Sequence, residues 1–381
     1  MPAGGGQSGQ KPRTGYAVVY PSGKREVYGD ESPAFTIAVA DERQLCRVLT
    51  GNAYSAALDF IHKRFEVSGS LIAALRFRKT HSQPSWMDRL WPLAARFAPA
   101  RIETWLQGKK RAADNIRFHY DVSNEFYQTF LDSRMIYSAA LFEKPEWSLD
   151  QAQEAKLRTI CEMLDLHPGD RFLDIGCGWG GLLTYCAMNY RVQATGCTLS
   201  HNQFGYTRSL IQALGLERYE SVLELDYRDI PGRFDKIASI GMFEHVGRHR
   251  LAAYFRTVYN RLESGGRFLN SGIVRPQGIA DDPQTWFVLN RVFPGGELAH
   301  LSDVIRAAEG AGFETLRIDN LRQHYGRTCR EWVSRLSRSQ DRCIGIVGEE
   351  TYRTWLLYLA AAAMNFEAGS TSVVSILMRR P

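Results

Sequence analysis

Four glycines fall within six positions behind a short apolar run that ends in an acid, reading Phe172-Leu-Asp174-Ile-Gly176-Cys177-Gly178-Trp-Gly180-Gly181. Such a segment predicts a strand that breaks into a turn and opens a helix, with no Cβ where a cofactor must lie against the backbone. The helix start that follows would favour an anionic group. The spacing Gly176-x-Gly178-x-x-Gly181 also fits a dinucleotide loop, so the second strand has to arbitrate. That strand, Arg191 to Thr198, carries no Asp or Glu at its end. A nicotinamide enzyme would place an acid on the ribose roughly 20 residues after the glycines. Downstream, Ser200-x-x-Gln203 can serve a cofactor or simply cap a helix as a capping box. Glu244 and His245 directly follow an expected fourth strand, at the sheet edge where α/β ligand sites form.

Longer motifs run in one order around these residues. Upstream stand His119-Tyr-Asp-Val-Ser-Asn-Glu-Phe-Tyr127 and Ile136-Tyr137-Ser138-Ala139-Ala140. The glycine loop is followed by Thr198-Leu199-Ser200-His-Asn-Gln203, Asp226-Tyr227-Arg228-Asp229 and Gly241-Met-Phe-Glu244-His245-Val-Gly247. From about residue 115 to the C-terminus the chain resembles the cyclopropane-fatty-acyl-phospholipid synthases. These are S-adenosylmethionine (SAM) dependent methyltransferases that include the mycolic acid cyclopropane synthases. The resemblance implies that Gly176, Cys177, Gly178 and Gly180 approach the amino-acid portion of SAM. Asp174 would orient the loop or bind the ammonium through a water. Thr198, Leu199, Ser200 and Gln203 would contact ribose and adenosine. Tyr227 and Arg228 would flank the adenine, with Asp226 beside them at the cofactor, and Tyr137 with Ser138 would close over the cofactor.

For the reaction, the resemblance places Glu244 beside the reacting centre, where it helps hold a bicarbonate ion that serves as base. Tyr325, in His324-Tyr-Gly-Arg-Thr328, matches the site tyrosine, and Ile273 matches a position whose backbone contacts the bicarbonate. His245 is expected to point elsewhere, as a structural imidazole if not a catalytic one. Three positions depart from the family pattern: its two site cysteines fall on Ala139 and Ala362, and its site histidine falls on Ser271. The anion is then held by fewer groups, or is absent and the chemistry ends differently.

These residues need a scaffold. Strands are expected at 171–175, 191–197, 221–226, 234–240, 266–274, 313–319 and 372–379, and helices at 150–166, 180–189, 201–214, 248–263, 301–311 and 349–366. The alternation predicts an α/β fold with a mostly parallel sheet covered on both faces. The resemblance makes it the Rossmann-like, seven-stranded class I SAM methyltransferase sheet with an antiparallel last strand. A Pro- and Gly-containing insertion over 275–300 suits a substrate lid. Before it, residues 1–15 read as a disordered tail rather than a signal peptide, and 16–105 as a smaller α+β domain associated with lipid. Strands are expected there at Tyr16–Tyr20 and Phe35–Val39, then helices. Residues 107–113 read as a linker, and 106–381 as the methyltransferase domain.

Composition narrows the partners. Of the net charge of +6, residues 60 to 111 carry +8 and the remainder −2. Trp86, Trp91, Phe97 and Trp105 lie in the basic stretch, which suits an anionic bilayer surface. A basic solvated face with inward-packed aromatics reads equally well, because Pro92 and Pro99 interrupt any long amphipathic helix. No nucleic-acid motif accompanies the charge. Seven cysteines without a C-x-x-C pair argue against a disulfide framework or a zinc site. The longest apolar run, Trp355 to Met364, has ten residues, well short of the roughly 18 of a membrane span.

The expected activity is SAM-dependent methylation of a double bond in the acyl chain of an unsaturated phospholipid, giving a cyclopropane. The expected place is the cytoplasm, at the inner face of the membrane, and a homodimer is admitted. With Ala139, Ala362 and Ser271 in the site, a methyl- or methylene-transferase that does not close the ring stays as the alternative. Small-amine N-methylation is weaker, because a soluble amine needs no basic, tryptophan-bearing platform. A SAM-binding protein without catalysis is weaker still, given the intact cofactor motifs and Glu244.

Overall fold

The computed structural model describes residues 14–29, 32–81, 122–279, 292 and 297–381. Outside the described residues lie the bulk of the N-terminal tail, the tryptophan-bearing part of the basic stretch and the 107–113 segment. So do His119 to Asp121 and most of the 275–300 insertion. The chain divides into two compact units, Met1–Arg89 and Leu90–Pro381.

The first unit is a small α+β body. Its strands are β1 (Tyr16–Val19), β2 (Arg25–Tyr28), β3 (Phe35–Ala38) and β4 (Glu66–Gly69). Its helices are α1 (Glu42–Thr50), α2 (Ala53–Ile61) and α3 (Leu71–His81). The sheet runs β2-β1-β3-β4, with β1 and β3 parallel and the other pairs antiparallel. Ala17 and Val18 of β1 and the alternate residues Phe35 and Ile37 of β3 are buried, while β2 is exposed along most of its length. β1 and β3 were expected from the sequence; β2 and β4, which bury little, were not.

The second unit begins with α4 (Asn124–Gln128) and α5 (Leu149–Leu164). Then come β5 (Arg171–Ile175), α6 (Gly181–Tyr190), β6 (Gln193–Thr198), α7 (His201–Leu214), β7 (Glu220–Glu224), β8 (Phe234–Ile240), α8 (Leu251–Arg261) and β9 (Leu262–Val274). The chain closes with α9 (Leu301–Gly310), β10 (Glu314–Asn320), α10 (Arg322–Arg338), α11 (Gln340–Val347), α12 (Glu349–Ala368) and β11 (Ser372–Arg379). The seven strands are ordered β10-β11-β9-β8-β5-β6-β7, and only β11 runs antiparallel to its neighbours.

Period-2 side chains explain why both faces are covered. Leu173, Ile175, Ile237, Phe268 and Ile376 face a core with α8 and α9. Phe172, Ala194, Ala238, Leu269 and Leu377 face the other core with α5 and α6. The chain leaves β5 toward β6 and β7 on one side and returns to β8 and β9 on the other. This switch point opens a crevice at the carboxyl edge.

Every expected strand and helix of this unit is present, most within two residues at each end. Two differences matter. The span 248–263 divides into a 3-10 turn at Arg248–Arg250, then α8, and Leu262 already belongs to β9. Helices α10 and α11 were not expected at all. The run Trp355 to Met364 lies inside α12, where Trp355, Leu359, Ala360, Ala363 and Met364 are buried. Among the described residues no helix is long and apolar enough to cross a membrane.

Candidate cofactor and catalytic site

The glycine loop is tied to the end of β6: the N–H groups of Gly176 and Cys177 both donate to the Cys197 carbonyl at 3.0 Å. Two of its glycines are needed for different reasons. At Gly180 (φ +82) a Cβ would come within 2.7 Å of Thr207 Cγ2, whereas at Gly178 (φ +56) it would meet no protein atom within 4 Å. Gly180 is therefore a packing requirement, and Gly178 faces empty space kept for something else. Gly180 caps α6 without a side-chain hydrogen bond, so the first N–H groups of that helix remain for an anion.

The empty space is a cavity at the switch point. It is lined by Tyr137, Ser138, Asp174, Gly176, Cys177, Gly178, Thr198, Leu199, Gln203, Asp226, Tyr227 and Arg228, all residues named from the sequence. Gly180 and Ser200 stand behind this lining and shape it. Ser200 Oγ accepts from Gln203 N at 3.2 Å as the cap of α7. The Gln203 carbonyl oxygen does not complete a capping box; it accepts from Thr198 Oγ1 at 2.8 Å, which leaves the amide NH2 as a donor for cofactor hydroxyls. The Asp226 carboxylate is gripped by Arg228 Nε at 2.7 Å and Nη2 at 2.5 Å. The Arg228 guanidinium also lies 5.5 Å from the Tyr227 ring centroid. Asp174 and Lys156 bring opposite charges to the wall. Burial pushes Asp174 up to about 7 and Lys156 down to about 7, each against the pull of the other's charge.

Of the catalytic candidates, Glu244 and Ile273 meet at the ends of β8 and β9. Glu244 sits in a 3-10 turn after β8, buried, with Oε1 accepting from Ile273 N at 2.6 Å and Oε2 without a partner. Burial drives its carboxyl up to about 7, the Ile273 N–H opposing. Gly272 makes the room: a Cβ there would stand 2.7 Å from Glu244 Oε2 and 2.4 Å from the Phe243 ring. A glycine inside a strand is a signal of close approach that could have marked it beforehand. Ser271 is buried on the same strand, and its carbonyl accepts from Gly241 N at 2.8 Å. The Ile273 backbone, which the resemblance puts against an anion, here donates its N–H to Glu244.

His245 was expected to point elsewhere than Glu244, and the two neighbours do face different sides. His245 lines the cofactor cavity, where burial lowers its pKa to about 4 and keeps the imidazole neutral. A 3-10 turn advances about 120° per residue, which is why neighbours in sequence serve different sides.

Tyr325 lies in α10, buried and stacked on Phe366 at 4.5 Å, with its edge toward Trp332 at 5.9 Å. Trp332 stacks on Tyr137 at 5.0 Å, and Trp355 approaches Tyr137 at 6.1 Å. An aromatic wall therefore runs from the cofactor cavity to Tyr325, and α10 carries it. The segment after Tyr137 is fastened to this helix: Ala140 N donates to Thr328 Oγ1 at 3.0 Å and Phe142 N to His324 Nδ1 at 3.1 Å. Ala139 is buried beside these bonds, and Ala362 is half-buried on α12. Among the residues missed from the sequence are Lys156, Met242 and Arg250 in the cavity lining, and Trp332 in the wall.

The strand order, the lone antiparallel last strand and the glycine-loop cavity at the switch point define a class I SAM-dependent methyltransferase. Residues 107–376 match the family model described as mycolic acid cyclopropane synthetase. A probable fatty acid methyltransferase from Pseudomonas putida is 37% identical over 358 residues, 92% of this chain and 88% of that protein. Cyclopropane mycolic acid synthase 3 from Mycobacterium tuberculosis is 34% identical over 270 residues, 68% of this chain and 94% of its own length. The crystal structure of mycolic acid cyclopropane synthase CmaA1 complexed with SAH and CTAB superimposes with a TM-score of 0.67 at 31% identity. That match covers 70% of this chain and 98% of the other. The chain belongs to the mycolic acid cyclopropane synthetase family, and its cofactor is SAM.

Proposed function

We propose that the enzyme methylates a double bond in an unsaturated fatty acyl chain of a phospholipid, with a cyclopropane as the product. The observation that carries the chemistry is the buried Glu244 carboxylate, with one oxygen pinned by Ile273 N–H and the other unpartnered. SAM, when bound, supplies an electrophilic methyl group. An alkene is a weak nucleophile, so the protein must align it in a dry pocket. Attack leaves a methylated carbocation on the acyl chain, and the π faces of the Tyr137–Trp332–Tyr325 wall are suited to shelter it. Loss of a proton from the new methyl closes the ring.

The residues present do not fit the bicarbonate that the family resemblance implies. Ala139 and Ala362 have no polar side-chain atom, and the Ile273 N–H is already engaged by Glu244. Glu244 Oε2 is then the base, and a carboxyl raised to about 7 is matched to that task near neutral pH. The thin donor set also favours a second reading, in which the proton leaves a neighbouring carbon and a methylene or methyl-branched alkene results. In this proposal the basic stretch within residues 60 to 111 brings the enzyme to an anionic membrane face. The test is incubation of purified enzyme with methyl-labelled SAM and vesicles of an unsaturated phospholipid. Label recovered in the acyl chain supports the proposal; label only in headgroup amines overturns it. Proton spectra of the product separate a ring from a methylene.

A further inference from the structure

Lys156 is a charged side chain in the cofactor cavity to which the reaction above gives no task. It sits on α5, buried, and lines the cavity. Its ammonium donates to Ser138 Oγ at 2.8 Å. One turn earlier, Gln153 Nε2 donates to the Ser138 carbonyl at 3.0 Å, so α5 holds this residue by side chain and backbone together. Two carboxylates supply countercharge to Lys156, those of Asp132 and Asp174. Asp132 is occupied, accepting from Arg134 N at 3.0 Å and Ile136 N at 2.9 Å. Asp174 is not: among the described residues no group donates a hydrogen bond to its carboxylate, which also lines the cavity.

A hydroxyl that accepts from an ammonium still has its own O–H to give. Ser138 therefore faces the cavity as a donor with a cation behind it, and such charge-backed donors are the strong ones. Beside it stands a carboxylate without a donor. A wall that offers both is complementary to a zwitterionic amino acid, carboxylate to Ser138 and ammonium to Asp174. SAM carries such a tail. We infer that Lys156 is a positioning residue for the SAM amino-acid tail, acting through Ser138 on the tail carboxylate. This rests on the cavity being the SAM site and deepens that reading, since neither the glycine loop nor Asp174 requires a lysine.

The test compares two probes by calorimetry on the full chain. SAM has the tail; 5′-methylthioadenosine keeps the adenosine and sulfur but lacks it. Lys156→Met should weaken SAM binding about 10- to 100-fold, the range for a hydrogen bond to a charged group, and leave methylthioadenosine binding unchanged. Ser138→Ala should show the same contrast, and the double variant should lose little more than either single one, because both act on one contact. If Lys156→Met fails to fold, Ser138→Ala and Lys156→Arg carry the comparison. Equal losses for both probes would reduce Lys156 to a prop of the cavity and overturn the inference, as would unchanged SAM affinity. A wild-type chain that binds neither probe would instead remove the cofactor site beneath it.

Discussion

Gly178 and Gly180 share a left-handed backbone, yet substituting them should have opposite consequences. An L-residue at such a φ costs roughly 1–2 kcal/mol. At Gly178 (φ +56) that is the whole structural cost of Gly178→Ala, because a Cβ there meets no protein atom within 4 Å. In a unit of this size it amounts to a fall in Tm of about 2–8 °C. The added atoms project instead into the cavity. The larger side chain of Gly178→Val should exclude SAM, lowering its affinity beyond about 100-fold, while the protein stays folded. At Gly180 (φ +82) the same backbone cost is joined by a 2.7 Å clash with Thr207 Cγ2. Overpacking of this kind adds about 1–3 kcal/mol, so Gly180→Ala should destabilise more and affect SAM less directly. Thr207→Ser removes the clashing methyl and keeps the hydroxyl that donates to the Gly178 carbonyl, so it should partly rescue Gly180→Ala. Calorimetry with SAM and thermal melts read the two axes separately. A folded Gly178→Val variant with wild-type SAM affinity would refute the assignment of this loop.

Four further outcomes follow from the site and from the rest of the chain. Glu244→Gln should cut turnover on the order of 100-fold or more with SAM binding little changed, and Tyr325→Phe should cost less. The wild-type rate should rise with pH through about 7 as Glu244 ionises, should lose that limb in Glu244→Gln, and should not depend on added bicarbonate. Glu220 is buried at the start of β7 with neither carboxyl oxygen partnered, and burial raises it from 4.5 to about 7. A raised carboxylate pKa means the fold loses stability as pH climbs from 4.5 to 7, so Glu220→Gln should match wild type at pH 4 and exceed it by up to about 3 kcal/mol at pH 8 in denaturant titrations. Binding to anionic vesicles should weaken as salt rises, and equal, salt-insensitive sedimentation with neutral vesicles would reject the electrostatic attraction.

Much of the cofactor half of the site was legible because its signals are local. The apolar run before Gly176 and the Ser200 cap and Gly215 stop of α7 each declare an element boundary by short-range chemistry. The helix α10 was not legible in the same way, since arginines at 322, 327, 330, 335 and 338 mask its apolar stripe. The stripe is there: Tyr325, Cys329, Trp332 and Leu336 recur at intervals of four, three and four, the spacing of one buried helix face. Lys156 reads in sequence as an exposed charge on an amphipathic helix, and only the packing of α5 against the 136–138 segment buries it. The direct bond from Ile273 to Glu244 could not be read, because it comes from a backbone N–H on a strand 29 residues away; the glycine at 272 signalled only a close approach.

In the proposed reaction the methyl group of SAM ends on an acyl chain carbon and Glu244 removes the proton. Mass spectrometry of lipids from a host rich in unsaturated phospholipids, expressing either the wild type or Glu244→Gln, tests both parts at once. Acyl chains one CH2 heavier are expected with the wild type and almost none with the variant. Unmodified acyl chains beside an active, SAM-consuming wild type would contradict the proposed reaction, and so would equal product from the two proteins.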